Sequence, residues 1–378
     1  MKPQPGKRRF ILALSLLLAG AGTACTSQRP PEWSAELPEE PAAPAGVVWP
    51  EALITVPGKL KDGRSVLPLA MLGKDTALLT TFEHRPALLS FNVRTGRQTV
   101  LATAPERAAC EGCFEIKRSA VNAEQVALLV QGEKKPDPRY DGERHMELWV
   151  VPRAGGPMKM VTRLPANGQD YSSGFQITDD LAVWWGVDGV WHVPLTGGEP
   201  KQVLSGRALR VTSWPWAYDM RRQSVVNLVT HQESKARRLD DVEGPYCGSV
   251  WCVGRADTPP RELTRTVIQR VDGSGRTIVP GFALGLWPPI RDRFVLFGLP
   301  SATEDNKFGP PFQLYDRCTR RTALLGPPGR AETETETTRD EIRYGAVTPE
   351  ISLLIWEASA TRYTVLDLSR ISDALCAK

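Results

Sequence analysis

Two stretches of this chain say nearly the same thing. Residues 147–164, ELWVVPRAGGPMKMVTRL, are followed by residues 189–204, GVWHVPLTGGEPKQVL, and Trp149, Val151, Pro152, Gly155, Gly156 and Val161 match Trp191, Val193, Pro194, Gly197, Gly198 and Val203 at one offset of 42 positions. Each copy reads as strand, Gly-Gly turn, strand. A fixed period of ~40–45 residues is what a four-stranded propeller blade leaves in a sequence. One such sheet cannot bury both of its faces. A closed ring lets each blade cover its neighbours and leaves only short edges.

The rest of the chain fits that period. From Val47 onward, short β-type runs such as residues 77–82 (ALLTTF), 126–130 (VALLV), 224–229 (SVVNLV) and 351–356 (ISLLIW) alternate with turn residues. They fall into seven groups of ~47 residues, near the usual blade length. The 32 Gly and 32 Pro agree with many turns, and no segment of twelve or more residues keeps a helical period after residues 1–24. The expected fold is therefore an all-β propeller of seven blades, with six as the alternative, over residues 47–378. The segment after Val47 is expected to supply a strand to the last blade and lock the circle. Residues 133–145 and 332–338 read as polar loops.

Residues 1–24 read as a targeting segment. Lys2, Lys7, Arg8 and Arg9 precede an apolar run from Phe10 to Ala24, shorter than the ~20 residues that a membrane span needs. The ending Gly22-Thr-Ala-Cys25 resembles a bacterial lipoprotein signal, cut before a cysteine that carries diacylglycerol. Ala24 fits that pattern, whereas Gly22 stands where leucine is usual. The alternative is an ordinary secretory signal cut near Ala24. Residues 25–46, rich in Pro, Glu and Ala, read as a flexible tether. Loss of the four basic residues takes the formal charge from +4 to zero, so the basicity does not support a nucleic-acid partner. The partners implied are a membrane, through lipid on Cys25, and a protein or cell-envelope component.

Seven cysteines are present. With Cys25 lipidated, Cys110, Cys113, Cys247, Cys252, Cys318 and Cys376 remain, an even set suited to an oxidising compartment. Cys110 with Cys113 and Cys247 with Cys252 are placed to close short local loops, which leaves Cys318 for Cys376. No second Cys-x-x-Cys or nearby His completes a zinc set around Cys110 and Cys113.

The x-Trp-x-Val-Pro-x-x-Gly-Gly-x-Pro motif over residues 147–205 resembles the repeat of TolB-type propellers, the WD40-like repeat of exported bacterial proteins. Trp214-Pro-Trp216, the Cys247…Trp251-Cys252 cluster and Asp272-Gly-Ser274 also resemble exported TolB-like proteins of actinobacteria. The resemblance implies a propeller with a central channel and an interaction role. The stretch ahead of the strands does not read as the α/β domain that precedes the propeller in TolB itself, so TolB's partners are not carried over.

Catalytic signatures are missing. The four histidines form no His-Glu-x-x-His, and His192 alternates with Trp191 and Val193 as a strand residue does. There is no Gly-x-Ser-x-Gly elbow, phosphate loop, dinucleotide fingerprint or calcium loop, and no cofactor is implied. Eleven Trp are the enriched feature. Trp184, Trp185, Trp214, Trp216 and Trp287 are candidates to line a channel mouth and stack on a sugar or peptide, although wedging between blades is the simpler role. A propeller enzyme acting on glycans is the alternative function, with Asp188, Asp219 and Glu357 as channel carboxylates. Such an enzyme needs two acids ~5–10 Å apart.

Overall fold

The computed structural model describes residues 42–376, apart from 84, 107–113, 133–145, 165–173, 187, 207, 238, 240, 257–264, 284–287, 299–311, 327–342, 345–352 and 360. Cys25, Cys110, Cys113, Trp287 and both polar loops of the sequence reading lie outside the described residues. The chain divides into two units, 1–34 and 35–378, and the described residues all belong to the second.

That second unit is a seven-bladed propeller. Six four-stranded blades occupy residues 66–103, 114–164, 176–205, 209–235, 242–280 and 282–325, each joined in simple antiparallel order. Blade seven takes three strands from the C-terminal side, Arg343–Tyr344, Leu353–Ser359 and Arg362–Asp367. Its outermost strand comes from the other end of the chain, since Leu53–Pro57 pairs antiparallel with Arg362–Asp367. This is the closing strand expected from the sequence. Pairing begins ahead of residue 47, however. Ala43–Pro44 lies parallel to Arg321–Leu325 as a fifth strand on blade six, and one helical turn, Ala45–Val48, carries the chain on towards blade seven.

Alternation explains why the middle strands read as unbroken apolar runs. In the strand Gln125–Gly132, Val126, Leu128 and Val130 enter the seam with blade one, whereas Ala127 and Leu129 enter the seam with blade three. The facing strand Met146–Pro152 does the same, with Trp149 and Val151 on one side and Leu148 and Val150 on the other. Successive side chains point to opposite faces, and here both faces are covered. Each buried side chain of this size contributes ~1.5–3 kcal/mol on leaving water. Among the described residues the core is therefore seven wedges, one to each seam between blades.

The repeated motif occupies equivalent places in adjacent blades. Trp149 and Trp191 lie on the third strands of blades two and three, and the Gly-Gly pairs form the turns to the fourth strands. Gly155 donates to the Pro152 carbonyl at 2.9 Å, and Gly197 donates to that of Pro194 at 3.0 Å. All four glycines have positive φ, 93°, 148°, 111° and 136°, values that a Cβ disfavours.

Candidate functional site

The first strand of each blade is its inner edge. Gln176–Ile177 and Leu209–Ser213 are largely buried, whereas the fourth strands Lys201–Ser205 and Glu233–Lys235 face solvent. The turn between strands one and two therefore shares one end of a blade with the turn between strands three and four. This is the near end. Blades five and six are aligned there, because Ser249 in one such turn donates to the Asp292 carboxylate in the next at 2.6 Å.

Two near-end turns build a cleft. In blade five, Asp272 caps the turn after the strand Arg265–Arg270, accepting from the Ser274 amide at 2.9 Å and its hydroxyl at 2.6 Å. Gly273 and Gly275 have φ of 82° and 62°. A Cβ on Gly275 would lie 3.1 Å from the Trp251 ring, so this turn rests on Trp251. In blade six, Asp316 caps the turn after the strand Phe312–Asp316, accepting from the Cys318 amide at 3.0 Å and the Thr319 hydroxyl at 2.8 Å. Between the turns is a cavity of about 310 Å³ lined by Trp251, Arg270, Tyr315, Arg317, Arg320 and the Cys318–Cys376 disulfide, among others.

Its lining carries three arginines, with the carboxylates of Asp272, Asp292 and Asp316 close enough to act on them through their charge. The Arg317 guanidinium lies 4.1 Å from the centre of the Trp251 ring, and that of Arg270 lies 5.3 Å from it. Arg317 Nε donates to the Asp292 carbonyl at 2.5 Å. Among the described residues, no carboxylate is within ion-pair distance of Arg270, Arg317 or Arg320. The nearest acids are engaged elsewhere: Asp292 accepts from Ser249 and the Trp251 amide, and Asp316 binds Arg293. Burial pushes the Arg317 pKa down; the Asp292 and Asp316 charges oppose this, and the like charges of Arg270 and Arg293 add to it. Burial also pushes the Tyr315 phenol up, so it stays protonated and able to donate. The arrangement supplies hydrogen-bond donors and positive charge. It has no paired nucleophile and base.

The cleft is braced from behind. Arg293, 2% exposed, donates through Nε and Nη2 to both oxygens of the fully buried Asp316, at 2.8 and 2.7 Å. Its Nη1 reaches the Ser372 carbonyl at 2.9 Å and Asp373 at 2.8 Å. The C-terminal segment is thereby held on blade six, where Cys376 joins Cys318. The second disulfide, Cys247–Cys252, closes the first hairpin of blade five. Both pairings are among those the sequence suggested.

Of the tryptophans singled out from sequence, the four among the described residues sit in seams. Trp184, 2% exposed, packs between blades two and three. Trp185 and Trp214 pack between blades three and four, with the Arg210 guanidinium 3.7 Å from the centre of the Trp185 ring. Trp216 packs between blades four and five. The three carboxylates do not converge on an inner edge. All lie at second-to-third turns or strand ends, away from the near end. Asp188 accepts from the Trp191 indole at 3.0 Å, Asp219 caps the Arg221 and Arg222 amides, and Glu357 is exposed. His192 is a strand residue whose pKa is pushed down by burial and by Lys201, partly offset by Asp180. Among the described residues no three His, Cys, Asp or Glu side chains gather as a metal site. The Arg cleft itself was missed in sequence. Its one signal is the density of arginine in residues 315–321, YDRCTRR, around a cysteine.

No protein-family model matches the chain, and no curated protein does. Solved structures do match. The β-propeller domain of the Trilobed protease from Pyrococcus furiosus is 9% identical, with a TM-score of 0.36, 56% of this chain and 70% of that one being covered. The oligogalacturonate lyase from Vibrio parahaemolyticus is 9% identical, with a TM-score of 0.34 and coverage of 84% and 97%. The putative TolB from Agrobacterium tumefaciens is 14% identical, with a TM-score of 0.28 and coverage of 73% and 80%.

Proposed function

We propose that this protein is an exported binding module, held on the extracytoplasmic side of a bacterial membrane by lipid on Cys25, that engages a protein or cell-envelope partner through the near end of blades five and six. The observation that carries this reading is the cleft of three arginines with no carboxylate partner among the described residues, set on a braced scaffold. Arg270 and Arg317 are half-buried and Arg320 is exposed, none of them in contact with a carboxylate among the described residues, and an anionic partner supplies that contact. Export is supported by the N-terminal pattern and by two disulfides, which persist in oxidising compartments. The strand Ala43–Pro44 runs parallel to Arg321–Leu325, so the chain enters it from the near end. Residues 26–42, at no more than ~3.5 Å each, give a tether a reach of at most about 60 Å.

The glycan-cleaving alternative finds no support in Asp188, Asp219 or Glu357, which do not share an inner edge. Two experiments test the proposal. Cells fed a fatty-acid probe should label the wild-type chain and not Cys25→Ser; equal labelling removes the anchor. Cross-linking in intact cells should give adducts that are lost when Arg270, Arg317 and Arg320 are all changed to Ala; identical adducts would move the partner surface elsewhere.

A further inference from the structure

The cleft just described also carries information about ligand chemistry, and the inference here deepens the proposed binding role. We infer that the cavity between blades five and six is a site for a single phosphate group, borne by a small ester or by a lipid headgroup. Size comes first. About 310 Å³ is at the small end of ligand pockets, which run ~300–1,000 Å³, so the site suits a headgroup-sized ligand and not a length of polymer.

Charge comes next. Arg270, Arg317 and Arg320 bring three positive charges to one cavity. A carboxylate would neutralise one of them, whereas a phosphate monoester carries about −1.5 to −2 at neutral pH and offers three acceptor oxygens. Guanidinium forks match phosphate oxygens two at a time. Arg317 is positioned for this. Its Nε is committed to the Asp292 carbonyl and its face to Trp251, which leaves its terminal nitrogens as the donors available to a ligand. Arg270 shares the same ring. Arg320 stands exposed at the rim in a left-handed conformation, φ 56°, fixed by the Asp316-capped turn. The protonated Tyr315 hydroxyl belongs to the same lining.

The cleft is also fixed in advance of any ligand. Ligand sites gain affinity when their groups are fixed before binding. Here the turn of blade six is pinned by the Arg293–Asp316 pair and by the Cys318–Cys376 disulfide, which itself lines the cavity. The phosphate assignment rests on the cleft alone. Only the choice of a lipid as its source leans on the proposed anchor at Cys25.

Calorimetry on the full chain tests it, with inorganic phosphate, glycerol 3-phosphate and acetate as titrants. The expected result is one saturable site for the two phosphates and at least about tenfold weaker binding of acetate. Arg317→Ala should lose about ten- to a hundredfold in phosphate affinity, the scale of a hydrogen bond to a charged group. Arg317→Lys should recover part of it, since the charge returns without the fork. Arg320→Ala, an exposed change with an unaltered melting curve, should lose several-fold and guards against misfolding as the cause. Cosedimentation with phosphatidylcholine vesicles with and without phosphatidic acid then separates the sources: dependence on phosphatidic acid assigns a headgroup, and binding of the soluble ester alone assigns a free ligand. The inference is overturned by no saturable heat at millimolar phosphate, by acetate binding as tightly, or by affinity unchanged in Arg317→Ala with Arg320→Ala. Cys25→Ser should leave phosphate affinity intact, so failure of the anchor and failure of the site are told apart.

Discussion

The seam between blades two and three and the seam between blades six and seven are built differently. The first is apolar: Ala127, Leu129, Leu148 and Val150 meet Phe175, Ile177, Trp184 and Val193, and Asn122 donates to the Thr178 carbonyl at 2.8 Å. The second also has an apolar wedge, but Trp49, Ala52, Leu368 and Ile371 from the two ends of the chain are part of it. It adds the Arg293–Asp316–Asp373 network, and the Cys318–Cys376 disulfide ties the C-terminal segment to blade six. The first seam lies mid-chain, with folded blades on both sides of it in sequence. The second is where both ends come in, and ends fray first because little holds them. Packing suffices where the chain is continuous, and polar and covalent ties collect where it is not.

Removing one partner of the buried pair tests this most severely. Asp316→Asn should cost about 3–5 kcal/mol in denaturant unfolding, because Arg293 loses its buried counter-charge and keeps only the exposed Asp373. If the pair serves only the clasp, Arg293→Met with Asp316→Leu should restore most of that loss. The two disulfides give the next contrast. From their sequence separations of 58 and 5, loop-closure entropy gives about 4 kcal/mol for removal of Cys318–Cys376 and about 2 kcal/mol for Cys247–Cys252. Melting temperatures of the paired Ser variants should fall in that order; the reverse order would mean that the clasp is not what holds the ends.

The pH response follows from Asp316. Burial pushes its pKa up, but the Arg293 and Thr319 hydrogen bonds and the Arg293 charge outweigh that and hold it below the usual 3.8. A depressed carboxylate contributes stability that is present above its unfolded pKa and lost as pH falls through the folded one. The stability gap between wild type and Asp316→Asn should therefore be flat from pH 8 to about 5 and shrink below about pH 4. The smallest effect belongs to the mid-chain repeat. In Gly197→Ala the new Cβ meets the Val161 carbonyl oxygen only at an ordinary contact distance of 3.9 Å, but the residue keeps a φ of 111°, so about 1 kcal/mol is expected. A loss as large as that of Asp316→Asn would put the weak point in the repeat and not at the ends.

The repeat was legible because packing and turn chemistry agreed there. Trp149 and Trp191, with their Gly-Gly turns, needed only a period to reveal two equivalent blades. Closure by Leu53–Pro57 and the Cys247–Cys252 and Cys318–Cys376 pairings were also readable. Four strands were not. Glu233–Lys235 is wholly exposed and polar, and Val242–Cys247 is interrupted by Gly244-Pro245 with a register shift between Glu243 and Tyr246. Ala43–Pro44 and Phe282–Ala283 are two residues each, too short to show alternation. The cleft was hidden for a different reason. Arg270 is 47 positions from Arg317, and only adjacent placement of two turns brings them to one tryptophan.

The segment that leads in from the N-terminus is also the one that completes blade seven, so mechanical load and ring integrity are coupled in this molecule. Tension applied ahead of Ala43 meets a two-residue pairing on blade six before it reaches the five-residue strand that shuts the circle. Clipping before Ala43 should leave the wheel closed, and clipping after Pro57 should let it spring, a difference that protease sensitivity would report.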